Sequence, residues 1–167
     1  MNLDIRIMSR DINEMLWKTK KTLSTAESCT SGRVAAVITS TPGSSEYYLG
    51  GIICYANETK MDLLGVDPKV IEEHSAVCEE VAKQMVTGAN KLFKTDYAIA
   101  VTGFAGPGGG TDEAPVGTIW IAVGNAEKIV TKKLEKDRGR DKNLAIATFH
   151  ATQMIHDYLK ELLPEEA

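Results

Sequence analysis

The chain has 167 residues, 43% of them hydrophobic and 25% charged, which excludes disordered, collagen-like and coiled-coil classes and leaves room for one domain with a sizeable core. A formal charge of −4, from 19 Lys+Arg against 23 Asp+Glu, gives no overall basic balance for a nucleic-acid backbone, so no nucleic-acid partner is expected. Three cysteines, Cys29, Cys54 and Cys78, have no C-x-x-C spacing and only His74 near any of them, which points to neither a disulfide framework nor a zinc site.

Residues 1–10 mix charge among their apolar side chains and lack the run of a signal peptide. No stretch approaches a membrane span, so the expected compartment is the reducing cytoplasm, with no membrane partner. Residues 11–18 predict a short amphipathic helix through Ile12, Met15 and Leu16, and a brief strand follows at 22–26. Residues 32–39 look helical, preceded by Ser28, Cys29, Thr30 and Ser31, whose polar atoms face the unpaired N–H groups of a helix start. Residues 42–45, Pro-Gly-Ser-Ser, read as a turn, and 49–55 as an apolar strand whose Gly50 and Gly51 imply close backbone approach.

A helix over 79–93 places Val81, Met85, Ala89 and Leu92 on one face and leads into a buried-type strand at 97–102. A glycine-rich loop spans 103–115, strands follow at 116–123 and 128–134, and a long C-terminal helix aligns Leu144, Ala147, Ala151, Met154, Tyr158 and Leu162. The alternation predicts an α/β fold: a single-domain, three-layer sandwich with a mixed sheet flanked by helices, over residues 1–167.

Three features carry chemistry. The loop packs five glycines into 103–110, as anion-cradling loops do. It matches neither the Walker nor the dinucleotide pattern, since a proline and a strand follow where those motifs need a helix, so neither ATP nor NAD is expected as cofactor. Cys29 stands where a nucleophile could, but no histidine base accompanies it, and a small buried thiol accounts for it. Without that histidine, a lysine with a lowered pKa is the remaining base for a serine. Lys60 follows the strand at 49–55, and strand ends in α/β sheets are where sites assemble. Spacing alone leaves it a solvated surface lysine.

Five segments shift that balance when taken together: Thr25-Ala-Glu-Ser-Cys-Thr-Ser-Gly32, Pro42-Gly-Ser-Ser45, Tyr55-Ala-Asn-Glu-Thr-Lys60, Leu64-Gly-Val66, and Thr102-Gly-Phe-Ala-Gly-Pro-Gly-Gly-Gly110 with Pro115-Val-Gly-Thr118. In this order the chain resembles the CinA C-terminal domain family, the nicotinamide mononucleotide (NMN) deamidases, over about residues 20–163. The resemblance implies a cofactor-free, metal-free amidohydrolase that converts NMN to nicotinic acid mononucleotide and ammonia, a step of pyridine nucleotide recycling, and a homodimer or larger homo-oligomer.

By motif, it implies a catalytic set of Ser45, Lys60, Tyr55 and Ser28 and a substrate-binding set of Thr30, Thr102, Gly103, Ala105, Gly106 and Arg138. Ser45 is the implied nucleophile, Lys60 its base and later proton donor, and Tyr55 orients Lys60 or shuttles a proton. Ser28 is the alternative nucleophile. Thr102 and the loop amides are assigned to phosphate or oxyanion, and Arg138, with Arg140 as the alternative, to phosphate. Three positions depart from the family pattern: Ser31 for glycine, Phe104 for isoleucine, and Lys136-Asp-Arg138 for Gly-Asp-Arg. Two other classes stay open, an amidase for a different small amide and a nucleotide- or phosphate-binding module without catalysis.

Overall fold

The computed structural model describes residues 3–163, so residues 1–2 and 164–167 of the single-domain assignment lie outside the described part. In chain order the elements are α1 (Leu3–Thr19), β1 (Leu23–Glu27), α2 (Arg33–Ile38), a 3-10 turn (Ser44–Glu46), β2 (Tyr48–Ile53), α3 (Asn57–Leu64), α4 (Pro68–His74), α5 (Glu79–Phe93), β3 (Tyr97–Gly103), β4 (Ile119–Gly124), β5 (Ile129–Leu134) and α6 (Arg140–Leu162). The strands form one sheet in the order β2-β1-β3-β4-β5. β1 is parallel to both β2 and β3, whereas β3–β4 and β4–β5 are antiparallel. This is the mixed, helix-flanked α/β sandwich that the alternation predicts.

Strand periodicity distributes the core. Leu23, Ile99, Val101, Ile119, Ile121 and Val123 face the layer of α1, α2 and α6; Ala26, Ala98, Ala100 and Ala122 face α5. Side chains on a strand alternate between faces, so Ser28, one step of two beyond Ala26, follows the α5 face and Glu27 the α2 face. The small alanines on the α5 side leave room for the fully buried Met85, Val86 and Ala89 of that helix.

Differences from the sequence reading have local causes. α1 starts eight residues earlier than expected, because Ile5 and Ser9 extend the buried stripe of Ile12 and Leu16 by two turns. Leu92 of α5 and Leu162 of α6 are exposed, since each lies in the last turn of its helix, past the sheet. β4 begins at Ile119 rather than 116, because Thr118 N donates to Pro115 O at 3.0 Å and Gly117 takes φ 95, closing a turn. α3 and α4 were not expected at all: α3 buries only Lys60 and Leu64, and α4 buries nothing, so neither carries an apolar period. A signal for α4 was present in Asp67-Pro68, an N-cap that accepts from Lys69 N followed by proline in the first turn. α3 seats against α5 through Gly88, where a Cβ would run into the Leu64 carbonyl.

Candidate active site

The site grows from the C-terminal ends of the parallel strands. In register, Glu27 pairs with Ile53 of β2 and with Val101 of β3. Ser28, Cys54-Tyr55 and the end of β3 with its loop, Thr102-Gly106, therefore lie side by side at these strand ends, in the crevice where open α/β sheets bind ligands. Ser28 N donates to Val101 O and Cys54 N to Glu27 O, both at 2.9 Å, so the ladder continues one step into the site. The next turn reverses through Ser31 at φ 52 and Gly32 at φ 90. That left-handed position explains why glycine is common at residue 31 in the resembling family; here Ser31 occupies it and its hydroxyl donates to Cys29 O at 3.2 Å.

α3 then brings Lys60 over the strand ends. Its side chain is 1% exposed, although lysines are almost never fully buried. Nζ lies 3.1 Å from Ser28 Oγ, 2.7 Å from Cys54 O and 3.3 Å from Tyr55 O. Among the described residues no carboxylate forms an ion pair with it. Burial lowers its pKa below the ordinary 10.5, only partly opposed by the neighbouring Cys54 and Cys29. A neutral amine suits this arrangement well. Two N–H bonds serve the two carbonyls, and the lone pair is left for the hydroxyl of Ser28.

Ser28 and Lys60 share a cavity of about 230 Å³ with Tyr55, Thr102, Phe104 and Arg140. Arg140, the first residue of α6, donates to Gly106 O at 2.7 Å and lies 3.4 Å from the Tyr55 hydroxyl. Its guanidinium thus spans the glycine loop and the β2–α3 connection. The amides of Cys29, Thr30, Ala105 and Gly106 have no acceptor among the described residues, which leaves them as donors for a developing anion. Among the described residues no group of three or more His, Cys, Asp or Glu side chains could hold a metal.

Several implied site residues move. Ser45, in the exposed 3-10 turn before β2, lies at the other end of that strand from Cys54, so within the chain it does not meet Lys60; the alternative, Ser28, does. Arg138 lines a different cavity of about 220 Å³ with Lys136 and His150, behind the loop, and Arg140 occupies the position at the site. The cause is local: Asn143 accepts from Arg138 N and donates to Ala105 O and Asp137 Oδ1, which folds 137–138 back along α6.

Tyr55 meets Lys60 only through its backbone carbonyl, while the residue is 59% exposed and its hydroxyl meets Arg140. Thr102 is buried at the cavity wall, but its hydroxyl donates to Ala76 O at 2.8 Å, so that proton is already used. Gly103, Ala105 and Gly106 all line the cavity. Thr30 is fully buried beneath it, its hydroxyl without a partner among the described residues. Cys29 lines the cavity too, but burial pushes its thiol up to about 12, which suppresses the thiolate at neutral pH.

One residue went unnoticed in the sequence. Glu27 is 1% exposed, and its two carboxylate oxygens accept from Val34 N at 2.9 Å and Ala35 N at 3.0 Å, the first free amides of α2. It does the capping that the hydroxyls of residues 28–31 were expected to do. The signal was an acidic residue ending an otherwise apolar or small-residue strand, just ahead of a helix that starts without a cap.

No described helix is long and apolar enough to cross a membrane. A family model described as the CinA C-terminal domain matches residues 6–159. A CinA-like protein of Cytophaga hutchinsonii is 38% identical over 159 residues, 95% of this chain and 38% of that protein. One of Mycobacterium avium is 56% identical over 101 residues, 60% of this chain and 23% of that protein. The chain thus spans well under half the length of these relatives. Among solved structures, the competence/damage inducible protein CihA from Agrobacterium tumefaciens superposes with a TM-score of 0.89 at 34% identity, covering 96% of this chain and 99% of that one. A CinA superfamily protein from Klebsiella pneumoniae gives 0.89 at 30%, with the same coverages. With the strand-end crevice, the glycine loop and the five motifs all falling inside the matched span, the chain belongs to the CinA C-terminal domain family.

Proposed function

We propose that this protein is a serine amidohydrolase acting on a small carboxamide, with nicotinamide mononucleotide as substrate and nicotinic acid mononucleotide and ammonia as products. The observation that carries this reading is the buried Lys60 amine 3.1 Å from Ser28 Oγ, with carbonyls on its remaining hydrogens. The substrate itself comes from the family resemblance.

Neutral Lys60 takes the Ser28 proton as Oγ attacks the carboxamide carbon. The tetrahedral oxyanion is met by the free amides of Cys29, Thr30, Ala105 or Gly106. As the C–N bond breaks, the Lys60 proton passes to the leaving nitrogen, giving ammonia and an acyl-Ser28 ester. Lys60 then deprotonates a water that hydrolyses the ester, and Ser28 recovers its proton. Arg140, with its planar donor fork, is the group at the cavity suited to a phosphate monoester.

The same reading carries a homodimer. Leu49 and Ile53, exposed on the edge strand β2, are apolar side chains that a second copy would cover. The direct experiment is ammonia release from NMN, nicotinamide, NAD and glutamine, with mass spectrometry of the trapped acyl-enzyme. Selective turnover of NMN with the acyl group on Ser28 supports the reading. An ester on Ser45 reverses the assignment of the serines, and no ammonia from any of the four removes the amidase.

A further inference from the structure

We infer that Glu27 is a positioning residue for the nucleophile: its buried carboxylate ties the β1–α2 turn to the helix so that Ser28 stays aimed at Lys60. This rests on the Ser28–Lys60 reading above and adds a group which that chemistry does not itself employ.

The geometry is specific. Glu27 is the last residue of β1 and Ser28 the next, so the two side chains leave the strand on opposite faces. On the α2 face both carboxylate oxygens are bound, one each, by Val34 N and Ala35 N. Between those amides and Ser28 lie only Cys29 to Arg33, of which Ser31 and Gly32 are left-handed. Within the turn Ser31 N donates to Ser28 O at 3.2 Å and Arg33 N to Thr30 O at 3.0 Å. These bonds do not reach the Val34 and Ala35 amides, Gly32 offers α2 no side-chain cap, and Ser31 sits in a conformation unfavourable to a side chain. The carboxylate closes it into a ring from Glu27 through the turn to α2 and back.

On its main chain, Glu27 O receives Cys54 N, and Cys54 O receives Lys60 Nζ. One residue therefore fastens both the strand end that precedes the nucleophile and the segment that holds the base. A carboxylate this buried is costly unless hydrogen-bonded, and among the described residues no cation forms an ion pair with it. A helix of six residues hardly calls for a buried charge on stability grounds alone, as a hydroxyl at the cap would satisfy an amide with no charge to desolvate. What the carboxylate adds is a bidentate hold that fixes the turn's rotation, and reacting groups misplaced by about 1 Å lose on the order of 100-fold in rate.

The test compares Glu27→Gln and Glu27→Asp with the parent protein by two readouts. The first is kcat and KM for NMN. The second is the rate at which phenylmethylsulfonyl fluoride labels Ser28, where the Oγ–S bond forms, fluoride leaves and the proton passes to Lys60. The sulfonyl fluoride does not depend on the natural substrate, so a mistaken NMN assignment leaves this arm intact. Glu27→Gln keeps one acceptor but turns an N–H donor on the second amide; Glu27→Asp keeps the charge but is one methylene too short.

The expected result is a fall of roughly 10- to 100-fold in both kcat and labelling rate for each variant, with KM within about twofold and the folded fraction verified by circular dichroism. The pH at which the labelling rate rises should stay unchanged, because Lys60 keeps its own contacts. Folded variants that label at the parental rate overturn the proposal and leave the amidase reading standing. Variants that fail to fold in both cases also overturn it, by making Glu27 a stability residue. A folded parent whose Ser28 is not labelled overturns the Ser28–Lys60 reading, and this proposal with it.

Discussion

Two lysines mark the two ends of β1 and show how one side chain type acquires opposite properties. Lys21, just before the strand, is paired with Asp96 at 3.0 Å on a half-exposed surface, and the hydrogen bond and charge of that carboxylate raise its pKa. Lys60, over the far end, is buried against a hydroxyl and two carbonyls, and desolvation lowers its pKa. The sheet is the same; the supply of carboxylate differs. A cation given an anion stays charged and holds structure together, whereas one given only neutral oxygens in a buried site is driven toward the free base. Ser45 lies at the Lys21 end and Ser28 at the Lys60 end, which decides which serine meets the buried lysine within its own chain.

The sharpest way to break this comparison is to remove each lysine's defining feature and see whether activity or stability responds. Lys60→Met, which keeps volume and removes the amine, should lower ammonia release from NMN by roughly 10²- to 10⁴-fold while unfolding stays cooperative; near-parental turnover would return Lys60 to a structural role. On the proposed mechanism the parent protein's rate should rise with pH through the Lys60 pKa, since only the free base would accept the Ser28 proton. That limb should fall below the ordinary lysine value of 10.5, and a kcat/KM profile still rising at that pH would contradict the burial argument.

Next in size is Gly88→Ala on α5, distant from the chemistry but beneath the helix that carries Lys60. The added methyl meets the Leu64 carbonyl, so α3 must shift, at a cost of about 1–3 kcal/mol. Because Lys60 moves with α3, turnover should fall in the folded fraction too. Denaturant melts alongside activity would show it, and a stability loss with full activity would separate α3's seat from the base.

At the other end, Asp96→Asn should leave turnover unchanged and cost roughly 1–2 kcal/mol, the value of the lost charge-assisted bonds to Lys21, Thr22 N and Thr22 Oγ1, reduced for partial exposure. Desolvation pulls the Asp96 pKa up, but the Lys21 and Thr22 hydrogen bonds outweigh it and the net shift is downward. A depressed carboxylate contributes stability that is present above its unfolded value and lost as pH falls through its folded value. The raised Lys21 contributes stability that is present below its unfolded value and lost as pH rises through its folded value. Parent and variant stabilities should therefore converge at acid pH; a constant gap down to pH 2 would refute the pairing.

The smallest effect separates being near the site from being part of it. Cys78 is the N-cap of α5 in extended conformation, its thiol makes no cap bond, and it is only partly packed against the α5-side core. Cys78→Ser places a better acceptor over the first-turn amides and should add about 0.5–1 kcal/mol, with turnover unchanged though Ala76 and Val77 line the cavity. A fall in the denaturation midpoint would show that the sulfur's packing outweighs its weakness as a cap.

The sequence by itself determined the class of the fold and the family to which the chain belongs. Apolar periodicity is local, so the strands at Tyr97–Gly103 and Ile129–Leu134, α5 and most of α6 are legible within a residue or two. The motifs pointed to Lys60, Tyr55, Ser28 and the glycine loop. What only tertiary structure decided are pairings that no local pattern encodes. The register of β1 with β2 and β3 sets which strand ends are neighbours, and so selects Ser28 over Ser45 as the partner of Lys60. α3 is invisible to periodicity because its most buried long side chain is a lysine, and lysine reads as surface until a helix lays it over a strand end. Arg140 replaces Arg138 at the cavity because Asn143 folds the intervening turn. Burial is a property of the assembled layers, and burial without a counter-charge is what lowers the pKa of this lysine.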